Sequence, residues 1–382
     1  MNENIQNTTS ETSTEPPQYS WGEQKPTEGS ESPVMLRRKI KKGYGKAAML
    51  IIWQQLFAII IMVIISSVMS VKLTGAVMAE NPEISLQELK QSVTDGYTEF
   101  LSGENAIFVN AGTMIVANLL SLLIVCAGKK QFKLKRTIGK IDLPASSVVL
   151  ACIGILGIQG VSIFVQNFVM SLTGYTGLNE STASAMAYTD NIAANIVLFF
   201  YLVIAAPVIE ELMFRGTSMN LLAPVSRKFA LFASALLFGL MHSNFNQIFN
   251  GFLLGLLLGY IALKSSSVIT SILCHMTANL NAALVSFIFE YKLASSIGSD
   301  AAATGEMIVF AVEAVVGIIA LVILLKKNGK LTENDIIVPE YSYILDDGDA
   351  KKLTWLTLIK CPSFWVAAAY CIFSAVILVS AI

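Results

Sequence analysis

The sequence predicts an all-α polytopic membrane protein, a bundle of about eight to nine transmembrane helices. Three observations predict it. The 382 residues are 54% hydrophobic and only 14% charged, where a soluble chain is nearer about a quarter charged. The mean hydropathy is +0.63. The apolar residues come in solid blocks with the charges set between them, and many blocks have the roughly 20-residue length that a helix needs to cross hydrocarbon. Solid runs do not alternate as barrel strands do. A soluble enzyme, a disordered chain and a disulfide-rich secreted domain are excluded. The 5 cysteines, Cys126, Cys152, Cys274, Cys361 and Cys371, lie in or at the edge of apolar blocks. Their odd number and spacing give neither a disulfide framework nor a zinc motif.

The elements follow in order. Residues 1–35 are polar and rich in Ser, Thr, Glu, Asn and Pro, a composition that reads as a disordered tail. The apolar region begins too late for this to be a signal peptide. A basic cluster follows at Arg37, Arg38, Lys39, Lys41, Lys42 and Lys46. Apolar blocks then run over roughly 47–71, 106–127, 145–172, 195–220, 229–247, 248–263, 267–289, 308–325 and 362–382. With the N-terminus in the cytoplasm, all of the 26 Lys and Arg except Lys72, Lys90 and Lys292 fall on the cytoplasmic side. The positive-inside rule therefore predicts a multi-pass protein of the cell membrane, with its N-terminus inside and its C-terminus outside. The outer loop 72–105 is acidic and predicts a short helix around Glu83–Tyr97. The acidic patch at Asp346, Asp347 and Asp349 lacks the ligand spacing of a calcium loop and reads as solvated surface. The chain thus divides into a tail with a basic juxtamembrane cluster (1–46), a transmembrane core (47–325) and a cytoplasmic loop with a terminal helix (326–382). Gly251, Gly255 and Gly259 recur every four residues, a stripe that lets two helices approach closely.

An ionisable group inside a span costs about 2.5–3.5 kcal/mol or more, so each exception points to a site. Glu210, Glu211, His242, His275 and Glu313 are those exceptions. Glu313, near the outer end of its block, reads as interfacial. If the fourth helix ended at Glu211, Glu210 would lie at the inner surface and could not meet His242. If the helix continues to about Asn220, then Glu210, His242 and His275 share a depth of roughly 12–20 Å, at 1.5 Å per residue. Pro207 then kinks the helix just before the carboxylates and leaves the Val203 carbonyl without its helical donor. Glu211 and Arg215 are i and i+4, placed for an ion pair. Glu210 points about 100° away, free to face His242 and His275. His275 and Asn279 share one face of the seventh helix, and Phe238 and His242 one face of the fifth. Phe238 is expected to pack around the site and keep it dry.

These residues resemble the signature of the CAAX-protease and bacteriocin-processing (CPBP, Abi-type) family of intramembrane glutamic endopeptidases. The family shows Glu-Glu-x-x-x-Arg, then Phe-x-x-x-His, then His-x-x-x-Asn or Asp, on separate transmembrane helices. Here these are Glu210-Glu211 with Arg215, Phe238 with His242, and His275 with Asn279. Each motif alone is weak. All three in order, using both histidines of the chain, make a strong match over residues 191–290.

The resemblance implies hydrolysis of a peptide bond in a membrane cavity open toward the cytoplasm. Glu210 would act as general base, with His242 orienting the water. A shared proton fits, because burial raises a glutamate's pKa and a nearby imidazolium lowers it. His275 and Asn279 would bind the water or the oxyanion, and Glu211, Arg215 and Phe238 would support the site. The resemblance implies a metal-free mechanism with no cofactor. Spacing alone is equally compatible with zinc on Glu210, His242 and His275, since two histidines and a glutamate form a known catalytic set. The expected partners are the bilayer and a membrane-embedded or lipidated peptide or protein substrate, and no nucleic acid. Two other readings use the same residues. One is a non-catalytic bacteriocin-immunity or scaffold protein. The other is a proton- or ion-coupled transporter, against which stands the absence of a two-fold hydropathy repeat.

Overall fold

A computed structural model describes residues 33–127, 137–173, 187–222, 227–243, 245–332, 335 and 356–380. The polar tail to residue 32, most of the basic loop 128–136 and the acidic patch at 346–349 lie outside the described residues. Among the described residues every regular element is a helix. Seven of them are long and apolar enough to cross a membrane, and the predicted all-α polytopic membrane fold is the one found.

The nine apolar blocks all become helices, and one of them is shorter than a full span. Helix α1 covers Pro33–Glu80. It continues the first block in both directions, from the basic cluster to the outer loop. Its 48 residues make a rod of about 72 Å, more than twice the hydrocarbon thickness of about 30 Å. Helix α2, Leu86–Phe100, is the short helix expected in the outer loop. Ser85 and Glu88 start it with a capping box: the Ser85 hydroxyl accepts from the Glu88 N–H at 3.3 Å, and the Glu88 carboxylate accepts from the Ser85 N–H at 3.2 Å. The Ser85 hydroxyl, which also donates to the Glu88 carboxylate at 2.7 Å, and then the Ser85 N–H hold the Glu88 carboxyl below the usual carboxylate range. Helices α3, Gly103–Cys126, and α4, Ala145–Thr173, match the second and third blocks.

The fourth block becomes one helix, α5, over Ile192–Leu222, the long form that the depth of Glu210 required. The fifth block does not span. Helix α6, Arg227–Met241, has 15 residues, about 22 Å, and stops at His242. The reason lies in the next residue, since Ser243 takes a left-handed conformation (φ 51°) that a helix interior does not accommodate. His242 therefore sits in the turn between α6 and α7, Phe245–Ser265, rather than within a span. Helix α8 runs over Val268–Ile297 and α9 over Ser299–Asn328. Helix α10 covers Pro362–Ser380.

The early start of α9 corrects the placement of Glu313. The helix begins about nine residues before the apolar block does, directly after Gly298 (φ 88°). Glu313 is consequently in mid-helix. Packing is dense where side chains are small. Helix α4 lies chiefly against α9, with Gly157 and Gly317 so close that a Cβ on Gly157 would come within 2.5 Å of the Gly317 backbone. Helices α6 and α7 form a hairpin through the predicted stripe, Gly251 against Gly239 and Gly255 against Ala235. One apolar core joins α1, α5, α6 and α10, and a second joins α4, α7, α8 and α9.

Candidate active site

Helix α5 carries the site and is wound unevenly around it. Two turns are π-helical, Tyr201–Ala205 and Phe214–Ser218. In the first, the Ala206 N–H donates to the Tyr201 carbonyl. In the second, the Met219 N–H donates to the Phe214 carbonyl. Each wide turn shifts the phase of the residues beyond it, and such turns recur at functional sites. Glu210 and Glu211 lie on the α-helical stretch between them.

Both carboxylates are buried, Glu211 completely. Glu211 Oε1 accepts from Arg215 Nη1 at 2.6 Å, the expected i, i+4 pair. Arg215 Nη2 donates to the Gly255 carbonyl at 3.1 Å. The same Glu211 oxygen lies 2.9 Å from His275 Nδ1. A carboxylate paired with arginine only accepts, so Nδ1 carries the hydrogen. This fixes the tautomer and aims Nε2 at Glu210, whose Oε2 is 3.9 Å away. The sequence suggested that Glu210, rather than Glu211, would face the histidines. The structure places His275 between the two glutamates, with its short bond to Glu211.

Phe238 is the hub of the group and is 1% exposed. The Arg215 guanidinium lies 4.6 Å from its ring centre, a cation–π distance. His242 and His275 both meet the ring edge-on, at 5.1 and 5.6 Å. His242 joins the site through this ring, and its Nδ1 is 2.9 Å from the Phe238 carbonyl. A carbonyl only accepts, so His242 Nδ1 is the donor and Nε2 is left for other work. Residues 192–281 match the family model described as type II CAAX prenyl endopeptidase Rce1-like. The match supports the CAAX-protease family for this segment. No significant match to the chain occurs among curated proteins or among solved structures.

The CAAX-protease segment contains every motif residue described. Asn279 makes a contact that its motif did not predict. Its amide donates to the Leu202 carbonyl at 2.8 Å. The first wide turn explains this. After Ala206 bonds Tyr201, the next donor in that register would be Pro207, which has no N–H. The Leu202 carbonyl is orphaned, where an α-helical register would have orphaned Val203, and Asn279 fills the gap.

Three contributors escaped the sequence. Gly255 was read as packing alone, yet its carbonyl holds Arg215, and Gly251 lies beside the His242 ring. Gln55 of α1, outside the CAAX-protease segment, donates to the Met241 carbonyl at 3.2 Å. It thereby satisfies the end of α6 one residue before His242. No local pattern marks Gln55, although an amide in an apolar block is a signal of the same kind as a buried charge. Two cavities, of about 470 Å³ between α1, α2 and α3 and about 440 Å³ between α4, α7 and α9, are lined by neither glutamate nor histidine of the site. Among the described residues no three His, Cys, Asp or Glu side chains are grouped to hold a metal ion.

Proposed function

We propose that the protein is an intramembrane peptidase that hydrolyses a peptide bond of a membrane-embedded or lipidated peptide, with water activated by Glu210. The observation that carries this reading is the fixed orientation of His275. Its Nδ1 is committed to Glu211, which Arg215 neutralises, and its Nε2 faces Glu210 across 3.9 Å. That separation exceeds a hydrogen bond, and an angled water or substrate oxygen can bond to both groups.

Charge supports the same division of roles. Two carboxylates and Arg215 leave one negative charge, which a single proton on Glu210 or His275 cancels. A neutral site is the state that a membrane interior favours. Glu210 takes a proton from water as the water oxygen attacks the carbonyl carbon. It then returns the proton to the leaving amine. His275 Nε2–H donates to the oxyanion, and His242 Nε2 orients the attacking water. Asn279 acts as a positioning residue, holding the wide turn that sets the phase of Glu210. The distribution of Lys and Arg supports a cytoplasmic N-terminus and an outer C-terminus.

The test is cleavage of lipidated and unlipidated peptides by the purified protein. Glu210→Gln is expected to abolish cleavage while leaving thermal unfolding unchanged, since the amide keeps the shape. Undiminished cleavage by Glu210→Gln would sink the mechanism. If the wild-type protein cleaves nothing across such a panel, the immunity or scaffold reading gains.

A further inference from the structure

Two thiols meet where α4 packs against α8. The Cys152 and Cys274 sulfurs are 3.6 Å apart, and all the cysteines of the chain are free. Cys126 and Cys361 meet hydroxyls instead, those of Thr217 and Ser363. The thiol contact is built into the helix packing. One turn along α8 from Cys274, the Ala278 carbonyl accepts from Gln159 Nε2 at 3.1 Å. Cys274 and Ala278 thus share the face that meets α4, and both pack in one core with Ala151 and Ile155 of that helix. His275 and Asn279 lie about 100° further round α8, toward α5.

The two sulfurs differ in access. Cys274 is fully buried, whereas Cys152 is half-buried. Val149, one turn before Cys152, and Leu273, next to Cys274, are both exposed on the flank of the bundle. An apolar oxidant dissolved in the bilayer therefore meets Cys152 first, with a second thiol behind it. A thiol pair in contact differs from a lone thiol in one chemical respect. The first oxidation product condenses with its neighbour before it is oxidised further. A disulfide needs its sulfurs about 2.05 Å apart, so the present gap has to close by about 1.5 Å. Side-chain rotation and movement of the two helices share that distance.

We propose that Cys152 and Cys274 form a hydroperoxide-reactive site, in which Cys152 attacks the peroxide and Cys274 resolves the product. The Cys152 thiolate attacks the terminal oxygen of a hydroperoxide, ROOH. The O–O bond breaks, an alcohol leaves with the thiol's proton, and Cys152 becomes a sulfenic acid. The Cys274 sulfur then attacks the Cys152 sulfur and the S–O bond breaks. The hydroxyl leaves as water with the Cys274 proton. Two thiols lose two electrons in all, and one hydroperoxide is reduced to alcohol and water. The consequence for hydrolysis rests on the peptidase reading. Cys274 directly precedes His275, whose Nδ1 lies 2.9 Å from Glu211. Drawing Cys274 toward α4 carries His275 sideways past the glutamates. A misplacement of about 1 Å at a reacting centre costs about 10²-fold in rate, so the oxidised protein is the slower one.

The test uses the full chain in lipid nanodiscs, with cumene hydroperoxide as the apolar probe and hydrogen peroxide as the aqueous one. After denaturation in an alkylating agent, peptide mapping is expected to find a Cys152–Cys274 cross-link in the oxidised wild type. The apolar probe should form it several-fold faster. In Cys274→Ser the sulfenic acid has no resolving thiol, and dimedone is expected to trap it on Cys152. In Cys152→Ser, Cys274 is expected to stay unlabelled. A wild type without the cross-link overturns the site. Faster cross-linking by hydrogen peroxide overturns access from the lipid. Equal dimedone labelling of Cys274 in Cys152→Ser overturns the assignment of roles. In peptide cleavage, oxidation is expected to lower the wild-type kcat about tenfold or more, and dithiothreitol to restore it. Cys152→Ser should keep its rate under the oxidant. A cross-linked wild type with unchanged kcat overturns the effect on hydrolysis. If the reduced wild type cleaves no peptide, the peptidase reading fails while the cross-link still judges the thiol pair.

Discussion

Glu211 and Glu313 are both carboxylates inside apolar helices, and the bundle accommodates them in different ways. Around Glu211 the chain supplies the partners itself: Arg215 and His275 on one oxygen, and the Gly255 carbonyl on the far side of the guanidinium. One atom, Glu211 Oε2, is left over. Around Glu313 the neighbour is the neutral Asn281 amide, and no ion pair to Glu313 occurs among the described residues. A group held by an ion pair and a second hydrogen bond on one oxygen keeps one geometry, which suits a site whose atoms must be aimed.

Substitutions can break or sharpen this contrast. Arg215→Met has the largest expected effect on stability. It strands Glu211 beside His275 alone, and breaking a buried pair costs about 3–5 kcal/mol. Unfolding in detergent measures it, and a variant as stable as the wild type would show that the pair is not what holds the region. Asn279→Ala comes next. It leaves the Leu202 carbonyl unpaired inside the bundle, at about 1–3 kcal/mol, and cleavage should fall further than stability because Glu210 loses its phase. Gln55→Leu removes one neutral bond at the end of α6, worth about 1 kcal/mol. Its signature is a lower kcat that Gln55→Asn restores only in part. The smallest effect on stability belongs to Glu313→Leu. It leaves the neutral Asn281 amide without the carboxyl beside it, and a neutral hydrogen bond is worth about 1 kcal/mol, so the unfolding midpoint should fall only slightly. A loss as large as that of Arg215→Met would erase the contrast between the two groups.

Much of this was legible in the sequence, and the reasons are specific. Solid apolar runs gave the helices because a span must be apolar along its length. The i, i+4 spacing gave the Glu211–Arg215 pair because helical geometry alone determines it. The common depth of Glu210, His242 and His275 gave the length of α5. Hydropathy failed where a helix is not apolar. Ser299-Asp300-Ala301-Ala302-Ala303 is a good helix start, yet too polar to count as a block, and Glu313 was misplaced as a result. It failed again at His242, where one residue at positive φ ends α6 in the midst of apolar sequence. The contacts of His275 and Asn279 were out of reach for a third reason. Both depend on the wide turns of α5, and a π-turn leaves no mark in composition. Pro207 announced a disturbance, and only the structure showed which carbonyl it orphans.

The wide turns have one more consequence. Each amounts to a single residue more than a regular helix would use to climb the same height. Deleting one residue near Val203 would leave a segment still apolar and still long enough to cross the bilayer. It would rotate Glu210 and Glu211 together by about 100° relative to Tyr201 and everything before it. The membrane would accept such a helix, and His275 would find no carboxylate opposite. Insertion into the bilayer reads the sum of a segment's side chains, whereas this site reads their count. A chain with unchanged hydropathy and the wrong parity at that turn would fold into the membrane as an empty scaffold.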